Sequence, residues 1–439
     1  MIKFVFILTT VLISIAGAAQ NQISLQDAIN VALQNNYQIQ ITKLQAAQNG
    51  INNTWGEAGR YPSITLTGSQ GNNISDQSQN PTAFIQELLI SNSLQGGLDL
   101  NWMLFNGFSV KANKERLDQV EAQSEGNAAI VIENTIQAVV LGYYNVQLQA
   151  DKLVILKEVL QTSKDRYAYN EIKQEIGTAV STDLLQFKNQ VLTDSSNTMM
   201  QEIAVKNARR NLNVFMGVDS DKEYELSDDL FEDFPDYVFT DLKTKMEANN
   251  QNLKNQYINS EIFKQDVQLA KSTMFPVVSF NAGASVSNSA YRIGDFPSQS
   301  GTNINYYGNF SLSFTLFNGG KVKRAIQAAD IQTRITELQV DELKQTLNRD
   351  LLNVYELYVM RQKIYSLNKE AVAVARKSLI ASKGKYEAGI INSFNFRDVN
   401  IAYLNAGIST LESLYNLVDS KTELTRLTGG LVLDSSATK

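Results

Sequence analysis

The sequence repeats itself. Asn35-Asn36 recurs as Asn249-Asn250 and Tyr61-Pro62 as Phe275-Pro276, both at an offset of 214 residues. Leu104-Phe105-Asn106-Gly107 recurs as Leu316-Phe317-Asn318-Gly319 at 212, and Tyr143, Gly177 and Gly217 find Tyr355, Gly389 and Gly429 at the same 212. Landmarks that hold one register over so long a stretch mark a duplicated structural unit. Residues 20–217 then form a first structural repeat and 240–429 a second, joined by an acidic linker at 218–239 and followed by a tail at 430–439. The stretch from Asp219 to Asp236 carries nine acids against one lysine, and Asp228-Asp229 lies within it. It reads as a solvated linker; a cation site would need a closer cluster of oxygen ligands.

Proline spacing says what each repeat can hold. The five prolines are Pro62, Pro81, Pro235, Pro276 and Pro297, which leaves blocks of 153 and 142 residues open to uninterrupted helix. Each repeat reads helix, two strands, long helix, turn, helix. The first helix runs from about Ser24 to Glu57, with Ser24 as N-cap, Asp27 at the capping-box position and Leu25, Ala28, Ile29, Ala32 and Leu33 as its apolar stripe. A long helix follows from about Ser109 to Asn170, with Ile136, Val139 and Tyr143 among its three- and four-residue steps, and a third from Thr182 to Met216, stopped by Gly217. The long helix is on the order of 95 Å and the others about 50 Å each, so two short helices end to end match one long one. Helices alone would suit a coiled-coil rod equally well.

The strands argue against a rod. Ile64, Leu66 and Gly68 alternate with Thr65, Thr67 and Ser69; Leu94, Leu98, Leu100, Trp102 and Leu104 oppose Gln95, Asp99 and Asn101. Val278, Phe280, Ala282, Ala284 and Val286 oppose Ser279, Asn281, Gly283 and Ser285; Ile304, Tyr306, Phe310, Leu312, Phe314 and Leu316 oppose Asn305, Asn309, Ser311, Ser313 and Thr315. Period two over about ten residues per strand is the transmembrane β-barrel pattern; alternation alone also fits a soluble half-buried sheet, and it is four such strands on a Cys-free chain with an export signal that favour the membrane. Tyr61, Trp102, Phe105, Phe275, Tyr306 and Phe317 suit interfacial girdles near strand ends. Four strands cannot close a barrel, and open edges are not viable in lipid, so the chain must oligomerise. A dimer gives eight strands with a filled interior and a trimer twelve with room for a conduit; spacing leaves both open.

The N-terminus reads as an export signal at 1–19: Lys3 supplies the positive end, Phe4 to Gly17 the apolar run, and Ala16-Gly17-Ala18 a small-x-small cleavage site. The run is too short to span a bilayer, and no later segment offers 18 consecutive apolar residues. With no Cys and no His, the chain can build no disulfide, thiol nucleophile, Cys or His zinc site or His-based triad. A net charge of −6 argues against a nucleic-acid partner. Paired acids such as Asp341-Glu342 read as solvated helix faces, so no enzyme is expected. The absence of a phosphate-binding loop leaves energy to a partner, and no cofactor or metal is called for.

The ordered set of duplicated motifs resembles the TolC family of outer-membrane efflux and secretion channels, over essentially the whole mature chain. The residues that carry the resemblance are Ile23-Ser24-Leu25-Gln26-Asp27-Ala28 with Ala32-Leu33-Gln34-Asn35-Asn36, the prolines Pro62 and Pro276 at the helix-to-strand turns, and Leu104-Phe105-Asn106-Gly107 with Leu316-Phe317-Asn318-Gly319-Gly320 at the strand exits. The resemblance implies a mainly α chain with a membrane β-barrel portion. Long helical hairpins would form a periplasmic α-barrel, and four strands per chain would join a twelve-stranded barrel in a homotrimer. It implies the outer membrane of a Gram-negative bacterium, contact with outer-membrane lipid, a periplasmic adaptor (membrane fusion protein) and an inner-membrane transporter of the RND, ABC or MFS type. The turns Gly177-Thr178-Ala179 and Gly389-Ile390-Ile391 become the adaptor-docking tip, and Asp183, Tyr386, Asn395 and Asp398 an entrance gate. Asp183 and Tyr386 are the expected hydrogen-bonded pair, and Ser181 and Ser393 the caps of the returning helices. Asn395 stands where the family places an acid. The leading functional reading is a passive exit duct; the alternative is an exported helical structural or adhesive protein, which explains the helices but not the strands.

Overall fold

A computed structural model describes residues 22–177, 181–228 and 234–431. The expected signal at 1–19, the linker residues 229–233 and the tail from 432 lie outside the described residues. In chain order the elements are β1 (Gln22–Ile23), α1 (Leu25–Asn35), α2 (Tyr37–Asn52), β2 (Ser63–Asp76), β3 (Leu88–Asn106), α3 (Ser109–Glu175) and α4 (Ser181–Met216). There follow β4 (Glu225–Leu226), α5 (Phe239–Asn249), α6 (Gln251–Ser272), β5 (Val277–Ile293), β6 (Gln299–Ser313), α7 (Lys321–Glu387) and α8 (Ser393–Leu427). The two long helices, α3 and α7, are 67 residues each. The chain divides into two compact units, each drawn from both halves of the sequence.

The first unit takes residues up to Leu44, Gly126–Lys254 and Glu342 onward. Its core joins Ala28, Ile29 and Ala32 of α1 to Ile136, Val139 and Tyr143 of α3 and to Leu212 and Met216 of α4. Ser24 caps α1, and the reciprocal bond with Asp27 completes the capping box, an arrangement worth about 1 kcal/mol. The single helix expected over 24–57 is broken: Asn36 is extended, with ψ of 123°. Its side-chain oxygen accepts from the amides of Gln38 and Ile39 at 2.9 and 3.2 Å and so caps α2 afresh, while its amide group donates to the Phe215 carbonyl at 2.9 Å. Gly217 closes this joint. Its φ is +69°, and a Cβ there would come within 2.5 Å of the Asn35 carbonyl. The second repeat builds the same joint from Asn250, which accepts from Leu253 and donates to the Leu427 carbonyl, both at 3.0 Å, with Gly429 against Asn249. The duplicated Asn-Asn and Gly landmarks are two halves of one device.

Tyr143 and Tyr355 also share a task. Each long-helix hydroxyl donates to the segment that leads into its repeat's first helix, Tyr143 to Ile23 at 3.0 Å and Tyr355 to Tyr237 at 3.3 Å. The solvated-linker reading needs correction at its described end. Strand β4 pairs in parallel with β1, and the Asp228 carboxylate accepts from the Leu25 amide at 2.6 Å. A carboxylate on the free amides of a helix N-terminus is favoured by hydrogen bond and dipole together, which is why Asp228 is bound rather than solvated.

The second unit takes Gln45–Glu125 and Asn255–Asp341. It holds a four-stranded antiparallel sheet in the order β2-β3-β5-β6. The register keeps the two faces apart. Leu66, Leu98, Ala284 and Tyr306 form one row, and Trp102, Phe280 and Phe310 another, with the Phe280 and Phe310 rings 4.7 Å apart. The opposite face carries Ser63-Asn101-Asn281-Asn309 and Thr67-Gly97-Ser285-Asn305. Three expectations are corrected. The strands are 14 to 19 residues long rather than about ten, because the ladder continues through polar stretches such as Gly71-Asn72-Asn73 where alternation fades. Tyr306 therefore lies mid-strand, not in an end girdle. Leu104 leaves the row of Trp102, because a bulge between Met103 and Phe105 shifts the register and puts Phe105 opposite Val278.

Around the sheet's helical end, α3 is tied by polar side chains. Asn53, just past α2, donates to Asp118 and Glu121 and accepts from Lys114. Arg116 pairs with Asp266 of α6 at 2.8 Å.

Candidate functional site

The turn that follows each long helix is built by glycine. Gly177 and Gly389 have φ of +74° and +73°. At the second turn the Gly389 amide donates to Tyr386 and the Ile390 amide to Lys385, at 3.0 and 2.8 Å, so a Schellman-type closure satisfies the last carbonyls. The backbone needs nothing from outside, and Ile390 is left 71% exposed. Ile391 is half-buried beside it. Thr178 and Ala179 lie outside the described residues.

The returning helix α8 is capped by Asn392, not Ser393. The Asn392 backbone is extended and its side-chain oxygen accepts from the Asn395 amide at 2.9 Å. Asparagine equals serine as a cap, so Ser393 becomes the first helical residue. Helix α4 starts at Ser181, with Asp183 in its first turn, where a carboxylate complements the helix dipole.

The expected bond between Asp183 and Tyr386 is replaced within the chain by a different constellation. The Tyr386 hydroxyl accepts from the Asn170 amide at 3.0 Å and lies 3.3 Å from its carbonyl oxygen. The Arg166 guanidinium stacks over the Phe396 ring at 2.9 Å and over Tyr386 at 4.9 Å. Phe396 is fully buried. Burial pulls the Arg166 guanidinium down to about 10, with Tyr386 and Glu387 opposing, so it remains cationic at neutral pH. Helices α3, α7 and α8 are thereby pinned together one to three turns from the glycines. Arg166, Asn170 and Phe396 were not marked by the sequence. Arg166 and Asn170 share a face at four-residue spacing, but nothing local points to partners more than 200 residues away.

Beside this cluster a small cavity of about 150 Å³ is lined by Ser163, Phe187, Gln190, Arg397 and Asn400. Buried Asp194 stands at its edge, accepting from Ser163 at 2.6 Å and Gln190 at 2.9 Å. Asp398 is exposed and paired with Arg397 at 3.1 Å, so its charge is partly balanced within the chain.

The polar sheet face is a second candidate surface. Among strands β2, β3, β5 and β6, the one charged residue away from a strand end is Asp99. Tyr307 donates its hydroxyl to Asp99 across Gly283, where a Cβ would stand 2.8 Å from the tyrosine. The middle of that face is otherwise Asn, Ser, Thr, Gln and Gly, hydrophilic and neutral, with Leu89, Met103, Val277, Tyr291 and Ile293 toward the strand ends. No described helix is long and apolar enough to cross a membrane. The two faces of the sheet differ, one apolar and one polar, in the alternation of a strand set between lipid and water.

The profile of a family described as outer membrane efflux protein matches residues 28–218 and 242–430. The fold is similar to the crystal structure of CusC, with a TM-score of 0.73 and 17% identity over 92% of each chain. It is similar to the Campylobacter jejuni CmeC outer membrane channel, with a TM-score of 0.74 and 14% identity over 92% of this chain and 85% of that one. The open state of the Neisseria gonorrhoeae MtrE outer membrane channel gives 0.70 and 14%, over 93% and 89%. No curated protein sequence gives a match.

Proposed function

The chain belongs to the outer membrane efflux protein family, and from that premise we propose that it is the outer-membrane duct of a tripartite efflux or secretion system. Three copies place twelve strands in one barrel, with the polar faces inward. The helices form a long periplasmic tunnel, and residues 1–19 are removed on export. The turns at Gly177 and Gly389 meet a periplasmic adaptor, and an inner-membrane transporter of the RND, ABC or MFS type supplies the energy. The duct is passive. Asn170, Tyr386, Arg166 and Phe396 hold the entrance helices together, with Asp183, Asn395 and Asp398 near the opening.

The observation that carries this reading is the four-stranded sheet with segregated faces and end strands β2 and β6. Four strands are too few to close on themselves, and an end strand in lipid leaves several polar backbone groups unsatisfied at a cost of several kcal/mol each. A matching stripe on α7 supports the same assembly: Leu357, Met360, Ile364, Leu367 and Val374 are all exposed at three-, four- and seven-residue steps, the pattern of a helix seam without its partner. A structural rod gives the amphipathic sheet no task. Detergent-solubilised protein is expected to show the mass of three chains by light scattering; a monodisperse monomer in mild detergent would overturn the assembly.

A further inference from the structure

The apolar face of the sheet does not end with its strands. Phe105 occupies the row Phe105-Val278-Leu312, and Phe108 packs edge-on against Phe105 with ring centroids 5.3 Å apart and against Phe275 at 5.9 Å. Phe108 is the one non-glycine residue with positive φ among the described residues, at +69°. A bulky aromatic is strained in the left-handed region. That strain gains no core packing, since Phe108 is 63% exposed. The preceding Gly107, with φ of +67°, sits so near the Ser272 carbonyl that a Cβ would fall 2.1 Å from it. The backbone contact fixes the start of α3 on the end of α6 and holds the Phe108 ring out.

Beside that ring lies a groove of about 750 Å³, with Phe108, Met274 and Phe275 on its apolar wall and Lys111 and Lys271 also lining it. Lys111 is one turn past Phe108, and Lys271 one turn before Phe275. Lys111 stands in the first turn of α3, where a cation opposes the helix dipole. Its described ion pair is with Glu115 at 3.7 Å, both side chains well exposed, and Glu115 is the one acid lining the groove. Helices α3 and α6 adjoin β3 and β5, the inner strands of the sheet, and Ile326 of α7, the helix that follows end strand β6, completes the lining.

We propose that this groove binds an anionic phospholipid of the periplasm-facing leaflet, with acyl chain against Phe108, Met274 and Phe275 and phosphate at Lys111 and Lys271. The proposal rests on the reading that the apolar sheet face meets lipid. Apolar wall, aromatic edge and cationic rim then follow in the order that acyl chain, interface and headgroup follow in a leaflet.

The test is native mass spectrometry of the detergent-purified trimer titrated with phosphatidylglycerol or phosphatidylcholine. The native chain is expected to retain phosphatidylglycerol preferentially, with no competition from inorganic phosphate. Lys111→Gln with Lys271→Gln should cut the preference roughly 10–30-fold, the factor two lysines facing an anionic surface supply. The same charge removal at Lys188 and Lys206 should leave it intact. Phe108→Gly relieves the left-handed strain, so trimer stability should hold or rise while lipid retention falls. Equal retention of both lipids, competition by phosphate, or an unchanged preference in the Lys111/Lys271 variant overturns the groove alone. A preparation with no trimer overturns the channel reading first and the groove with it.

Discussion

Glu133 is 2% exposed within α3, and its Oε1 meets no hydrogen-bond donor among the described residues. Burial pushes its carboxyl up to about 7, against the pull of Arg426 and Lys254. The pull is weak because Arg426 is already bidentate to Glu423, at 2.8 and 2.6 Å. In the unfolded chain the same carboxyl titrates at the ordinary 4.5. Between those values the native state holds a proton that the unfolded state has lost, so stability falls as pH rises through the window. The penalty is absent below the lower value and complete above the upper one, where it amounts to about 3 kcal/mol. Glu133→Gln is therefore expected to raise the denaturation midpoint at pH 8 and to abolish much of the gain that the native chain shows on acidification to pH 5. Identical midpoint-against-pH curves for the two proteins would show that another group carries the dependence. The tip residues make the complementary point. The sequence marks Tyr386, and the structure gives its hydroxyl to Asn170 and its ring to Arg166; a phenol takes any well-placed amide, and spacing along one helix cannot rank partners on another.

At the scale of elements, the strand faces are open to direct trial. Leu98 pairs with Leu66 and Ala284, whereas Asn101 pairs with Ser63 and Asn281. An Arg at Leu98 is expected to reduce barrel insertion by about 2–4 kcal/mol, the cost of a cation near mid-bilayer, and an Arg at Asn101 to be tolerated. Heat-modifiable migration in outer-membrane fractions reads the difference, and equal tolerance of the two changes would refute the assigned faces. These faces were legible in the sequence because side chains alternate strictly along a strand and the register preserves that parity across four strands. The capping box at Ser24 and the start of the long helix at Ser109 were legible for the same local reason, whereas the helix runs on past the expected Asn170 to Glu175. What was not legible depends on distant atoms. The break at Asn36 is held by the Phe215 carbonyl, the bulge after Met103 by the pairing of β3 with β5, and Asp228 is drawn from its linker by a helix N-terminus more than 200 residues earlier. Polar strand ends were missed because a ladder of backbone hydrogen bonds does not need alternating side chains once a neighbour has set the register.

At the scale of the whole molecule, the docking tip and the gate should separate. Gly389 and Ile390 close their turn with backbone bonds, and the Ile390 side chain is exposed. An apolar residue presented on a self-satisfied turn fits a partner hairpin without leaving a buried charge. If the adaptor docks at this turn as proposed, Ile390→Asp is expected to abolish export while trimer abundance stays at the native level. The pair Asn170→Ala with Tyr386→Phe should do the reverse. A neutral hydrogen bond contributes about 0.5–1.5 kcal/mol net, so three copies bias the entrance without locking it. Their loss should raise single-channel conductance in planar bilayers and leave adaptor binding unchanged. Arg166 on Phe396 holds the helices in place meanwhile, which keeps the double variant folded. Normal export with Ile390→Asp would move the adaptor contact away from this turn, and native conductance in the double variant would remove Asn170 and Tyr386 from the gate; either failure leaves the other assignment standing, since the docking residue and the gating pair share no hydrogen bond.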